Sequence, residues 1–240
     1  HVLPGADGLR VLLIHGSGGN AGVWTKVMNG LDGFHCCAVD LPGHGASKGE
    51  GKRSIPEYSE FVREFCDALG WKEVVLGGHS LGGGIVLDFA VRFGEKLKAA
   101  LLIGTGARLR VLPAALELLR KMAEGEIPSK FEPWAFSEKA SPQVLAEGEE
   151  EWAKTSAEVR YGDMFACDRF DIMKEIGGIS VPCLVISGSA DVLTSVKYGK
   201  FLADGIPGAE LVVIEGAGHT AHLEKPAAFN EALLDFMARF

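Results

Sequence analysis

Several large protein classes are excluded by what this sequence does not contain. It has no Lys/Arg cluster, and its 24 basic residues are outnumbered by 32 acidic ones for a net charge of -8, so nucleic acid is not an expected partner. No apolar run approaches the roughly 20 residues needed to cross a bilayer, so no membrane span is expected. The five cysteines (Cys36, Cys37, Cys66, Cys167, Cys183) are odd in number and show no CxxC spacing, which argues against a disulfide framework or a zinc site. Cys36 and Cys183 lie in apolar runs and read as buried thiols. No signal peptide is visible, and a reducing cytoplasm is the expected compartment. Internal repeats and low-complexity tracts are also absent.

What remains is a 240-residue chain with 47% hydrophobic residues, enough for a sizeable core. Short β-branched apolar runs alternate with helix-length amphipathic segments, the pattern of a mostly parallel sheet covered by helices on both faces. Strands are expected near Val11 to His15, Cys36 to Asp40, Val74 to Gly78, Ala99 to Gly104, Cys183 to Ser187 and Leu211 to Glu215. Helices are expected over Pro56 to Leu69, ending at Gly70, over Leu81 to Phe93, ending at Gly94, and over Pro226 to Phe240. In the last, Phe229, Leu233, Phe236 and Phe240 recur at helical spacing and should pack on the sheet.

The segment 107–170 breaks the alternation and reads as a helical insertion, dividing the core into 1–106 and 171–240. Pro113 opens a stripe of Leu112, Leu116, Leu119 and Met122; Ser141-Pro142 reads as a cap and first helical position; Thr155 to Glu158 fits a capping box. Phe131, Trp134, Phe136, Trp152, Tyr161 and Phe165 are more aromatic surface than short helices can bury among themselves, so part of it should face the core across a cleft. The acidic run Glu147 to Glu151 reads as a solvated helix face.

Chemistry enters at Gly78-His79-Ser80-Leu81-Gly82, between an apolar strand and a helix. A serine on such a sharp turn has its hydroxyl exposed at the end of a sheet. Serine needs a base, and the base needs a third group to fix its tautomer. His219 follows the strand Leu211 to Glu215 and opens onto the strand ends, so it is the expected base. His222 reads as a loop-shaping residue, and His15, His44 and His79 as structural hydrogen-bonding groups of glycine-rich turns; His35 begins a strand. Asp191 follows the strand ending at Ser187 and is the expected acid. Asp40 also sits at a strand end, but its setting suggests a carboxylate bonded to turn amides. Oxyanion donors are expected from the backbone N–H of Leu81, at a helix N-terminus, and of Ser17 in His15-Gly16-Ser17-Gly18-Gly19. That glycine-rich turn carries neither a Walker lysine nor GxGxxG, which argues against a phosphate site.

The His15-Gly16 turn, the Asp40-Leu-Pro-Gly-His-Gly-Ala-Ser47 segment, the Ser80 elbow, Asp191 and Gly218-His219 followed by Glu224-Lys-Pro226 occur in that order. In this the chain resembles the α/β-hydrolases over essentially its whole length. The resemblance implies an α/β-hydrolase fold whose insertion is a helical lid. The ten residues ahead of Val11 imply that the antiparallel strands usually starting that fold are shortened or missing. A serine nucleophile implies acyl-enzyme chemistry without a metal or organic cofactor, and a carboxylesterase-like activity on a small-molecule ester. An apolar lid and the lack of a basic cluster favour neutral short- to medium-chain esters, with Gly16, Met122, Trp134 and Phe136 as candidate substrate contacts. Three alternatives stay open: carbon-carbon bond hydrolysis of ring-cleavage products, cofactor-free perhydrolysis or haloperoxidation, and a non-catalytic binding role. Monomer and homo-oligomer are both compatible with the sequence.

Overall fold

The computed structural model describes residues 8–31 and 33–240. The expectation about the extreme N-terminus concerns residues that lie largely outside this range. Among the described residues, six strands form one parallel sheet: β1 (Arg10–Ile14), β2 (His35–Val39), β3 (Val74–His79), β4 (Leu97–Ile103), β5 (Cys183–Gly188) and β6 (Glu210–Ile214), in the order β2-β1-β3-β4-β5-β6. Each expected strand is present within two residues of its sequence bounds.

Strand periodicity divides the apolar residues between two cores, because successive side chains point to opposite faces. Leu12, Ile14, Leu76, Ala100 and Leu102 pack on one face, where α2 (Ile55–Ala68) and α3 (Leu81–Phe93) lie. Val11, Leu13, Val75, Leu101 and Ile103 pack on the other with residues of α1 (Thr25–Met28) and α9 (Pro226–Met237). Continuous apolar runs are what a strand buried on both faces requires. All five cysteines are buried and free.

The insertion between β4 and β5 holds α4 (Pro113–Ala123), α5 (Pro142–Ala153) and α6 (Ala157–Asp168). Its two ends are tied together at the base: Ile172 N donates to Ala107 O at 2.8 Å, Leu109 N to Phe170 O at 3.3 Å, and Arg108 pairs with Asp171 as an antiparallel bridge. Two further helices, α7 (Val196–Gly205) and α8 (Ala221–Glu224), follow β5 and β6.

Four local expectations need correction. The cap of α6 is Ser156, whose side chain accepts from Val159 N, whereas the Thr155 hydroxyl donates to Gly19 O. Ser156 offers the same cap chemistry one residue later, and Val159 cannot return the reciprocal bond of a capping box. Leu112 caps α4 from outside the helix and is 76% exposed, so it leaves the apolar stripe. Phe240 lies past the end of α9 and is exposed against the edge of Phe236. The acidic run is not uniformly solvated: Glu149 and Glu150 are exposed, Gly148 is buried under Phe136, and Glu151 turns toward the cavity described below.

Candidate active site

Strand order fixes where a site can form. From β1 the chain moves outward to β2 and then returns to β3 on the opposite side of β1, so the turns leaving β1 and β3 diverge and leave a crevice at their carboxyl ends. His15 to Gly19 leave β1 there, and Ser80 leaves β3, with Ile14 and Gly78 paired in register. Asp191 and His219 follow β5 and β6, which are neighbours with Gly188 opposite Ile214.

Ser80 is the one non-glycine residue with positive φ among the described residues, at φ 53° and ψ -113°. That strained conformation is over-determined by its surroundings. Ser80 N donates to Ile103 O at 2.9 Å, and Ser80 O accepts from Gly84 N at 3.0 Å and from the Thr105 hydroxyl at 2.8 Å. The glycines have a steric reason: a Cβ on Gly82 would come within 2.5 Å of Ile14 O and 2.6 Å of His15 O, and one on Gly78 would collide with the Gly82 carbonyl. The Ser80 side chain makes no capping bond, and the Leu81 amide lies in the first turn of α3, which has no intrahelical acceptor for it.

His219 Nδ1 lies 2.8 Å from Asp191 Oδ2, with both side chains buried. Asp191 also accepts from Leu193 N at 2.8 Å, Thr194 N at 3.0 Å and the Thr194 hydroxyl at 2.9 Å. Burial opposes ionisation of this carboxyl, but the His219 and Thr194 hydrogen bonds outweigh it and hold Asp191 below the usual aspartate range. Since a carboxylate only accepts, His219 carries its proton on Nδ1 and turns Nε2 outward as the basic nitrogen. Asp40, the competing acid, instead accepts from Ala21 N and Ala46 N at 2.7 and 2.8 Å, in the turn-bracing manner its sequence setting suggested.

Other histidines frame the site as neutral groups. His79 Nε2 donates to His219 O at 2.9 Å, so the elbow and the His219 loop are joined. Its ring lies 4.6 Å from that of His219 and 4.7 Å from that of His222. Burial, followed by the proximity of His219 and His222, keeps the His79 pKa well below the ordinary histidine value. Burial likewise pushes His222 down to about 3 and, with His44 nearby, His15 to about 4. His15 Nε2 accepts from Leu41 N, so its Nδ1–H donates to Gly16 O at 2.8 Å.

A cavity of about 240 Å³ brings these elements together. Gly16, Ser17, Ser80 and His219 line its floor, and Met122, Trp134 and Phe136 of the insertion line its roof. Every sequence-predicted substrate contact therefore borders the same space. Leu81 and Asp191 do not line it; Asp191 touches His219, which does. Phe131 and Trp152 also face the cavity, whereas Tyr161 and Phe165 pack on each other outside it. His222 does more than shape a loop, since it forms part of the wall.

The family model described as "Alpha/beta hydrolase family" matches residues 11–232. The chain belongs to the alpha/beta hydrolase family. As an alpha/beta hydrolase it is similar to a thermophilic esterase of known structure at 36% identity and TM-score 0.82, the match covering 99% of this chain and 92% of that one. It is also similar to a thermophilic esterase from Thermogutta terrifontis, at 27% identity and TM-score 0.88, over 100% of this chain and 93% of that one. Among sequence relatives, 3-oxoadipate enol-lactonase 2 of Acinetobacter baylyi is 28% identical over 245 residues, 98% of this chain and 91% of the relative. This alpha/beta hydrolase is accordingly a hydrolase with the parallel six-stranded core of its family.

Sequence reasoning missed Thr194 and Asp163. Asp191 accepts from Leu193 N two residues on, as in an Asx-turn, and this brings Thr194 back against it; an aspartate opening a polar turn was the available signal. Asp163 sits inside a helix whose partners are far away in sequence, and nothing local marks it.

Proposed function

We propose that this protein is a serine hydrolase of carboxylic esters that works through Ser80, His219 and Asp191. The buried 2.8 Å contact between His219 and Asp191, opening onto a cavity shared with the strained Ser80, carries this reading. As His219 Nε2 takes the hydroxyl proton, Ser80 Oγ attacks the ester carbonyl carbon and the carbonyl oxygen becomes an oxyanion. The backbone N–H groups of Leu81 and Ser17 receive that charge, a contribution of about 3 kcal/mol per donor in comparable sites. Collapse breaks the C–O bond, with His219 giving its proton to the leaving alcohol. Water then attacks the acyl-enzyme by the same steps, releasing the acid and restoring Ser80. Asp191 stays ionised throughout and holds His219 in its tautomer. The cycle calls for no metal or organic cofactor.

The segment 107–170 acts in this reading as a lid between two core parts, 1–106 and 171–240. Its apolar and aromatic roof and the cavity of about 240 Å³ favour neutral esters of short to medium chain. Similarity to proteins named as esterases and as an enol-lactonase supports the reading of ester cleavage. The test is turnover of p-nitrophenyl esters from acetate to decanoate by wild type and Ser80→Ala. Turnover that falls off beyond medium chains and disappears in the variant supports the reading. No Ser80-dependent turnover at any chain length overturns it.

A further inference from the structure

Asp163 lies in α6 of the insertion and is fully buried, yet no step of the proposed reaction uses it. Its carboxylate collects donors from three separate parts of the core. Oδ2 accepts from Gly18 N at 2.8 Å and from His44 Nε2 at 2.8 Å, while Oδ1 accepts from the Tyr58 hydroxyl at 2.6 Å. His44 Nδ1 is also 3.0 Å from Pro42 O, an atom that only accepts, so both ring nitrogens face acceptors; burial opposes the charged form of His44, but the Asp163 contact raises its pKa above the ordinary histidine value. With His44 protonated, the pair is a buried ion pair whose carboxylate also accepts from Gly18 N and the Tyr58 hydroxyl, the kind of hydrogen-bonded setting in which a buried ion pair is tolerated.

The contact with Gly18 has a geometric consequence. Gly19 N donates to Gly16 O at 3.1 Å and Gly18 has φ +67°, so residues 16–19 form a type II turn with glycine at the position that needs positive φ. The Ser17 N–H belongs to the peptide leading into this turn, and its direction depends on how that peptide is joined to the central Ser17–Gly18 peptide. Asp163 holds the N–H of the central peptide. Two more insertion residues grip the same turn: the Thr155 hydroxyl donates to Gly19 O at 3.3 Å, and the Arg160 stem covers Gly18 so closely that a Cβ there would lie 2.6 Å from Arg160 Cγ. Arg160 is itself fixed by the carbonyls of Trp152 and Thr155 and by Ser129 Oγ.

We infer that Asp163 is a positioning residue for the oxyanion turn, so that helix α6 of the insertion holds the Ser17 donor in register as well as roofing the cavity. The inference rests on the ester-hydrolase reading of Ser80 and Ser17. A cover alone would need only apolar contact with the core, whereas this helix spends a buried charge on the backbone of the turn beside Ser80.

The test compares Asp163→Ala with Asp163→Asn, since the amide oxygen of Asn can still accept from Gly18 N and Ala cannot. Turnover of p-nitrophenyl acetate is normalised to active sites titrated with a fluorophosphonate, which removes any effect of misfolded protein. The expected result is a kcat for Asp163→Ala about 10–100-fold below wild type with KM within about twofold, and recovery of most of that loss in Asp163→Asn. Asp163→Ser, whose short side chain leaves room for a water to satisfy His44 and Tyr58, replaces the Ala variant if that one does not fold. Equal kcat per titrated site in wild type and the Ala or Ser variant, with only the melting temperature lowered, overturns the positioning role and leaves the esterase reading standing. Absence of Ser80-dependent turnover in wild type overturns both.

Discussion

His219 Nδ1 and Asp191 Oδ2 lie 2.8 Å apart at the ends of neighbouring strands, and the Thr194 hydroxyl is 2.9 Å from that oxygen and 3.1 Å from that nitrogen. The contact fixes the His219 tautomer, and its strength depends on Asp191 remaining ionised. Asp191→Asn is therefore expected to lower kcat about 10⁴-fold, by favouring the wrong tautomer, with the fold retained. Steady-state kinetics beside a circular dichroism spectrum check this, and a loss smaller than about tenfold would remove Asp191 from the role.

Thr194→Val removes the hydroxyl while keeping the shape of the side chain. The Asp191 carboxylate loses one of its four donors and His219 a neighbour, so kcat is expected to fall about 3–10-fold and the melting temperature to drop as well, since a hydrogen bond to a charged group contributes about 1.5–3 kcal/mol. A kinetic comparison at fixed pH measures it.

The elbow around Ser80 depends on backbone proximity. Because a Cβ on Gly82 would meet the carbonyls of Ile14 and His15 at 2.5 and 2.6 Å, and neither can move without disturbing β1, Gly82→Ala is expected to destabilise the protein by at least about 3 kcal/mol. Urea unfolding followed by fluorescence provides the comparison with wild type.

Buried neutral histidines make a definite acid response. In His15, His79 and His222 the folded pKa is lowered, so the unfolded chain binds more protons as pH falls below 6.5 and stability is lost from there downward. Each contributes a slope of about 1.4 kcal/mol per pH unit between its two values. His44 has the opposite sign. Burial works against its charge but the Asp163 contact raises its pKa above 6.5, so its stabilisation is full below 6.5 and declines as pH rises through the raised value. His222→Phe is expected to flatten the dependence between pH 6.5 and about 3 by one histidine's slope. Urea midpoints taken at half-unit pH steps measure it; an unchanged slope would mean that His222 is not held neutral.

In the proposed reaction the insertion residues that line the cavity set the room for substrate. Phe136 packs over Gly148 and borders the cavity, so Phe136→Ala is expected to move the preferred acyl chain to greater length, whereas Met122→Trp should move it toward acetate. Ratios of kcat/KM along the p-nitrophenyl ester series report both.

The strands β1 to β5 were legible because they are almost wholly buried on both faces and read as apolar runs, whereas β6, at the sheet edge with Val213 exposed, was legible from its Leu-Val-Val-Ile sequence alone. Ser80, Asp191 and His219 could be singled out for a related reason, since each lies in the turn that leaves the end of such a run. The Asp163 contacts were not, because Gly18, His44 and Tyr58 lie 145, 119 and 105 residues away and meet α6 only after the insertion folds back over the strand ends. Local pattern also failed at the ends of elements. Thr155 and Ser156 are equivalent as cap residues by type, and tertiary contact with Gly19 claimed Thr155. Phe240 kept the helical spacing of α9, but the helix ended at Met237 and left it on the surface.

The central claim is that Ser80 is the nucleophile, activated by His219 and Asp191. Its most direct test is peptide mapping by mass spectrometry after treatment with a fluorophosphonate, run on wild type, Ser80→Ala and Asp191→Asn. The account predicts one phosphonyl group per chain on Ser80, none in Ser80→Ala, and labelling slowed by orders of magnitude in Asp191→Asn. Stoichiometric labelling at another residue, or equal labelling of wild type and Ser80→Ala, would contradict it.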